Sequence, residues 1–287
     1  MLTIFTIPKP FKGHISIIQK NAISSWMLLQ PACEIILFGD EEGTAEIAQE
    51  FGLHHITNIE KNSYGTPLLD DVFKKAHQEA HNDLLCYVNA DIILLQDFLE
   101  ALKQAEKLKD NFLLVGQRWD VTIDFLWDFS AGNWEEKMHD CIKEHAKLHP
   151  PMGSDFFVFS RESFPNIPSF AVGRAGWDNW MIFHARESGI PVIDVTPVTT
   201  VIHQNHDYQH VKQSTDNTYE NPESKENRKI IGNGNNVYTL NDANYILTSQ
   251  GLKWNIIKKI MGYINNIIIN VYCVVAKILS RCKLIMR

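Results

Sequence analysis

The feature that most constrains the fold is a regular alternation of short apolar runs with segments of helical periodicity, starting at the second residue. Leu2–Ile7 reads as a buried strand stopped by Pro8 and Pro10. His14–Gln30 follows with Ile15, Ile18, Ala22, Trp26 and Leu29 at helical spacing, and Glu34–Phe38 is an apolar run closed by Gly39 and Asp40. The alternation continues as helix Thr44–Phe51, short strand Leu53–Ile56, helix Pro67–His81, strand Leu84–Val88, helix Gln96–Leu108 and strand Phe112–Gly116. Strands joined through helices return in the same direction. The sequence therefore predicts an α/β fold, a Rossmann-like, mostly parallel sheet flanked by helices, with ligands beyond the carboxyl ends of its strands.

After Gly116 the pattern weakens. Trp119, Phe125, Trp127, Phe129 and Trp134 crowd a loop-rich stretch before a helix at Glu135–Leu148. A strand is expected at Asp155–Ser160, a helix at Ala175–Ser188, and strands at Val192–Val195 and Val198–Ile202. Asp207–Asn236, rich in Asn, Lys, Glu and Ser, reads as a mobile surface excursion. The expected organisation is a main domain over 1–205, a polar loop and short helix over 206–250 that complete it, and a basic amphipathic C-terminal helix over 251–287.

Charge is distributed unevenly. The net charge is −7, but Lys253–Arg287 holds seven Lys/Arg and no acid, which leaves 20 basic against 34 acidic groups, or −14, in the first 252 residues. An acidic body excludes a general nucleic-acid binder, which needs a basic face opposite phosphates. In the tail, Ile256, Ile257, Ile260, Ile264, Ile267, Ile268 and Val271 recur near helical positions. Its charge-free stretch Ile260–Ala276 is short for a membrane span and is interrupted by Asn265, Asn266 and Asn270. The composition fits a helix lying on an anionic membrane surface, with a helix docked on the protein's own core as the alternative. Five cysteines without a Cys-x-x-Cys pair, and a start that lacks the basic and apolar regions of a signal peptide, predict a cytoplasmic protein. The tail would attach it peripherally to the membrane.

The strongest local signal is Cys86–Leu94, where an apolar strand emerges at Asn89-Ala90-Asp91 and a second apolar run starts at once. Short oxygen-bearing side chains at a sheet edge suit a hard divalent cation, so Asp91 is a candidate ligand for Mg²⁺ or Mn²⁺ against a diphosphate, with Asn89 or Ala90 beside a ribose. An Asx cap that serves only backbone N–H groups is the alternative. Asp40, after the second strand, opens on the same edge and could accept from a base or ribose, or cap the next helix.

Four segments in order, Thr3–Ile7, Gly39-Asp40-Glu41, Asn89-Ala90-Asp91 and Gly173-Arg174-Ala175-Gly176-Trp177-Asp178-Asn179-Trp180, span about residues 1–205. In them the chain resembles nucleotide-sugar-dependent glycosyltransferases of the GT-A type. Asn89-Ala90-Asp91 stands as a variant of their Asp-x-Asp motif, with Asn in place of the first Asp. The resemblance implies a nucleotide-diphospho-sugar donor along the sheet edge, with Thr6 and Pro8 among its contacts. It also implies Asp91 as a metal ligand and Asp178 as the catalytic base.

The residues themselves allow the same chemistry. Asp178 at a helix start can take a proton from an acceptor hydroxyl and Trp177 can stack on a sugar, although a helix cap beside a core Trp would look the same. Arg174 can neutralise a departing diphosphate. The resemblance also implies a histidine after the last core strand that completes the metal or diphosphate site: His203 lies nearest that strand, with His206 the alternative and His210 a free surface histidine. A zinc hydrolase is disfavoured, because the run lacks the Glu that helical zinc proteases carry between their histidines.

Weaker candidates are Tyr64, in an Asn62–Pro67 loop over the donor or a helix entry with Thr66 as N-cap, Arg118 for a phosphate or sugar hydroxyl, and Asp155 for the sugar pocket. The expected protein is a Mn²⁺- or Mg²⁺-dependent glycosyltransferase acting on a glycan or glycolipid acceptor. The alternatives are a sugar-nucleotide nucleotidyltransferase, for which Pro8-Lys9-Pro10-Phe11-Lys12-Gly13 is a poor signature, and a non-catalytic carbohydrate-binding protein.

Overall fold

The computed structural model describes residues 1–108, 110–206 and 221–255. The chain divides into two compact units, Met1–Lys253 and Trp254–Arg287. The strands are β1 (Leu2–Thr6), β2 (Glu34–Phe38), β3 (His54–Ile56), β4 (Leu84–Val88), β5 (Ile92–Leu94), β6 (Leu113–Val115), β7 (Trp119–Val121), β8 (Lys147–Leu148), β9 (Phe156–Ser160), β10 (Val192–Asp194), β11 (Val201–Gln204), β12 (Tyr245–Thr248) and β13 (Gly251–Trp254). The helices are α1 (Gly13–Met27), α2 (Thr44–Phe51), α3 (Leu69–Glu79), α4 (Gln96–Glu106), α5 (Trp134–His145), α6 (Trp177–Glu187) and α7 (Pro222–Ile230).

Nine strands form the main sheet in the order β13-β12-β10-β6-β9-β4-β1-β2-β3, and β5-β11-β7-β8 form a second. In the main sheet β1 pairs in parallel with β2 and β4, β2 with β3, and β10 with β6 and β12, while β9 runs antiparallel between β4 and β6. The apolar runs are buried on both faces because alternate residues serve opposite cores. Phe5, Phe38, Tyr87 and Phe159 join Val72, Phe73, Trp177 and Met181 of α3 and α6 on one side. Ile4, Leu37, Cys86 and Val158 join Ala22, Trp26, Ile47 and Phe98 of α1, α2 and α4 on the other.

This topology creates the site. The strand order runs outward in opposite directions from the β1/β4 pair, and the loops after their carboxyl ends part there, the crevice where open α/β sheets bind ligands. Because β9 is antiparallel, its beginning lies at that same edge: Val88 pairs with Phe156, and Asn89 N–H donates to the Asp155 carbonyl at 2.9 Å. The second sheet then aligns three more segments. His203 of β11 faces Ile92 of β5 on one side and Asp120 of β7 on the other, and Trp119 faces Leu148, one residue before His149.

Several local expectations are corrected. α3 starts at Leu69 rather than Pro67, because Lys61 bridges Pro67 and Leu68 bridges Ala171 in extended pairing, so Thr66 is not its N-cap. The strand expected at Val198–Ile202 begins only at Val201, after a 3₁₀ turn at Thr196–Val198, and belongs to the second sheet. Part of the polar stretch read as a mobile excursion is a packed helix, α7, whose Glu223, Ser224 and Asn227 are buried. Asn227 exchanges hydrogen bonds with the Ala171 backbone at 3.0 and 3.1 Å, so polarity here marks buried hydrogen bonding rather than solvent. Gly251–Trp254 is a strand, not the start of a helix, and the rest of the expected amphipathic tail, with His210, lies outside the described residues. Among the described residues no helix is long and apolar enough to cross a membrane.

Candidate active site

A cleft of about 620 Å³ opens at the carboxyl edge of β1 and β4. Of the residues singled out in the sequence, it brings together Pro8, Asn89, Ala90, Asp91, Arg118, Asp155, Arg174, Trp177, Asp178, His203 and His206. Thr6, Asp40 and Tyr64 are not on its wall. Thr6 ends β1 fully buried, its hydroxyl without a hydrogen-bond partner among the described residues. Asp40 is exposed and ion-paired with Lys61 at 2.5 Å, which holds its carboxyl below the usual range, and the neighbouring Glu41 lines the cleft instead. Tyr64 is exposed at the tip of a turn in which Asn62 Oδ1 accepts from the Tyr64 and Thr66 N–H groups.

Asp91, His203 and His206 each offer a ligand atom, all within 4.8 Å of one another. Asp91 Oδ1 is buried with no hydrogen-bond partner among the described residues, while Oδ2 lies 3.1 Å from His206 Nε2 and 3.7 Å from Lys9 Nζ. Burial pushes the Asp91 carboxyl up, but the His206 hydrogen bond, Lys9 and the two imidazoles outweigh it and hold Asp91 well below the usual carboxylate range. An orphaned carboxylate oxygen beside two imidazoles fits a divalent cation. The nitrogen donors favour Mn²⁺ over the harder Mg²⁺.

Asp120 organises the neighbours. Its Oδ1 accepts from Arg118 Nε at 2.9 Å and His203 Nδ1 at 3.1 Å, and its Oδ2 from His149 Nδ1 at 2.7 Å. Anchoring Nδ1 leaves Nε2 as the His203 nitrogen available to a cation, the usual device by which a carboxylate orients a ligating imidazole. Burial pushes the Asp120 carboxyl up, but the bonds from His149 and Arg118 bring it below the usual range. Burial lowers the His203 imidazole, which favours the neutral form that a ligand needs. Arg118 continues the network through Nη1 to Asp155, whose other oxygen accepts from Asn89 Nδ2 at 2.7 Å.

Asp178 lies in the first turn of α6, next to Gly153, where an added Cβ would sit 3.7 Å from its carboxylate and 3.7 Å from His149 Nε2. The turn before it requires glycine. Gly176 has φ +103°, and a Cβ there would meet Ile231 at 2.8 Å. Burial, then the charge of Asp155, raise the Asp178 carboxyl above its ordinary value, and backbone N–H groups only partly offset this. A carboxylate so placed is a stronger base than one in water. Trp177 is only 5% exposed, its ring packed between Tyr87 at 5.1 Å and Phe157 at 5.2 Å, so little of it is open to a sugar. Arg174 donates Nε and Nη2 to Glu223 Oε2 at 2.8 and 2.6 Å, while Asn62 holds Oε1 at 2.7 Å. Its charge is partnered within the protein before any ligand enters.

Sequence reasoning passed over Lys9, Asp120, His149 and Glu223. Lys9 had a usable signal, a cation directly past the carboxyl end of the first strand. The others meet partners far along the chain, from 29 residues between Asp120 and His149 to 161 between Asn62 and Glu223.

No family model and no curated protein sequence matches the chain. Among solved structures, GalNAc-T7 with UDP, GalNAc and Mn²⁺ is 14% identical, with 81% of this chain and 48% of that chain aligned at a TM-score of 0.53. Glucosyl-3-phosphoglycerate synthase from Mycobacterium tuberculosis, with Mn²⁺, UDP and phosphoglyceric acid, is 14% identical over 74% and 73% of the two chains, at 0.46. TarS from S. aureus is 10% identical over 71% and 36%, at 0.48. The chain spans between 35% and 58% of the length of TarS chains that it matches. At 14% identity the likeness to GalNAc-T7 is one of fold. With a mostly parallel sheet that opens its cleft at the β1/β4 edge, the chain has the GT-A fold of the nucleotide-sugar glycosyltransferases.

Proposed function

We propose that this chain is a divalent-metal-assisted glycosyltransferase that moves a sugar from a nucleoside-diphosphate sugar to a hydroxyl of a glycan or glycolipid. The observation that carries this reading is that one cleft holds three converging cation ligands, Asp91, His203 and His206, together with Asp178, a carboxylate raised by burial. The UDP, GalNAc and Mn²⁺ in the GalNAc-T7 structure support a nucleoside diphosphate and a metal ion as ligands here. A bound ion would neutralise charge on the departing diphosphate, where electrostatic catalysis is most effective. Asp91 remains ionised to hold it. Asn89, Asp155 and Arg118, locked to one another, form a pre-set polar wall that orients donor hydroxyls. Asp178 accepts the proton of the attacking hydroxyl.

The test is a screen of nucleoside-diphosphate sugars for thermal stabilisation with and without Mn²⁺, since a ligand that binds only the folded state raises apparent stability by mass action. One donor should shift the melting temperature only with the ion and release a nucleoside diphosphate when acceptor is added. Release of pyrophosphate would assign a nucleotidyltransferase instead, and no shift with any nucleotide sugar would overturn the reading. The seven positive charges and Ile-rich pattern of 253–287 support an acceptor at a membrane surface. Salt-sensitive sedimentation of the full chain with anionic vesicles tests that part.

A further inference from the structure

Lys9 stands between Pro8 and Pro10 in the loop after β1, and its backbone is clamped on both sides by one buried side chain. Gln19, 1% exposed, accepts from Lys9 N–H at 2.6 Å and donates to its carbonyl at 2.8 Å. The loop is fixed while the four-carbon stem remains free to swing, its side chain one-third exposed to the cleft. At its end Nζ lies 3.2 Å from His206 Nε2 and 3.7 Å from Asp91 Oδ2. Asp91 Oδ2 and His206 Nε2 are themselves 3.1 Å apart. The Lys9 ammonium therefore sits against two of the three residues that would ligate a divalent ion.

We propose that Lys9 is a tethered cation of the donor site that competes with the metal ion when the ion comes alone and cooperates with it when a diphosphate comes too. An ion approaching Asp91 and His206 meets a positive charge within a few ångströms, and like charges so close on one carboxylate cannot both be fully held. Once diphosphate oxygens share the ion, they offer the displaced ammonium a new partner within reach of its stem. The lysine thus couples ion binding to diphosphate binding and disfavours an ion without donor. This rests on the metal and donor reading proposed above.

The experiment is calorimetric titration of Mn²⁺ into the full chain and into Lys9→Met, each with and without UDP. The Met side chain keeps the length of the stem and leaves the Gln19 clamp on the backbone intact. Lys9→Met should bind Mn²⁺ alone about fivefold more tightly than the parent, the scale of a partly exposed ion pair near 1 kcal/mol. The tightening of Mn²⁺ by UDP should shrink by at least as much. Lys9→Arg, which keeps the charge, should restore both behaviours towards the parent. Equal or weaker Mn²⁺ binding by Lys9→Met would overturn the proposal, as would an unchanged UDP effect. If neither protein binds Mn²⁺, the metal reading falls with it. If both bind Mn²⁺ but neither responds to UDP, the fault lies in the donor reading, and a tighter site in Lys9→Met still upholds the competition.

Discussion

Asp120 touches no expected ligand, yet its replacement should weaken the cation site by a predictable amount. Its carboxylate takes three donors: Arg118 Nε at 2.9 Å and His203 Nδ1 at 3.1 Å on Oδ1, and His149 Nδ1 at 2.7 Å on Oδ2. An asparagine has one oxygen. Turned to keep both Oδ1 bonds, it presents an NH₂ group to His149, whose Nδ1 must then be bare. Arg118 keeps its second anchor on Asp155, so the fold is retained. The charge that made these bonds strong is gone, and a charged hydrogen bond is worth ~1.5–3 kcal/mol against ~0.5–1.5 for a neutral one. Asp120→Asn should therefore lose about tenfold in Mn²⁺ affinity, the low end of the ~10–100-fold effect of removing a partner behind a ligating histidine. Asp120→Ala frees the His203 ring altogether and should reach about a hundredfold. Calorimetric titration of Mn²⁺, with circular dichroism to show that each variant is folded, reads both numbers. Mn²⁺ affinity within twofold of the parent in folded Asp120→Ala would refute the reasoning, because His203 would then need no orienting carboxylate.

Asp91→Asn should leave the fold intact and abolish detectable Mn²⁺ binding by the same titration, because the amide keeps the turn but not the charge that holds the ion. Asp178→Asn should lower sugar transfer by ~10² or more while leaving Mn²⁺ and UDP binding near the parent, which steady-state kinetics and titration separate. The same variant should raise the melting temperature at neutral pH. The folded protein holds the Asp178 carboxyl above its unfolded value, so stability linked to it is present below the ordinary carboxylate range and is lost as pH rises through the raised value. The gain from Asn, which imitates the protonated form, should vanish in acid, and transfer by the parent should begin to fall with decreasing pH above the ordinary carboxylate range. Phe73→Ala should cost about 3–5 kcal/mol in denaturant unfolding, since this fully buried ring contacts Phe5 at 5.2 Å and Phe159 at 5.6 Å.

The sequence by itself determined the elements whose ends are set by their own residues. β2, α2 and β4 fall at Glu34–Phe38, Thr44–Phe51 and Leu84–Val88, as expected, because each is bounded by turn residues and filled by an apolar run or stripe that only one kind of element can bury. Their alternation was enough to read a mostly parallel α/β sheet and the edge where Asp91 emerges. Only the tertiary structure decided what faces what. No local pattern distinguishes a parallel strand from an antiparallel one once both faces are buried, so the reversal of β9 that carries Asp155 to the β1/β4 edge was not legible. His203 and His206 stood as alternatives in the sequence, and the register of β11 between β5 and β7, with the chain just beyond it, brings both to Asp91. Arg174 read as a partner for a diphosphate and Asp40 as one for a base or ribose or as a helix cap, but Glu223, 49 residues away, and Lys61, 21 residues away, pair with them. Pairing at such separations depends on which backbones the sheets set side by side, a property of the assembled core and of no single stretch of chain.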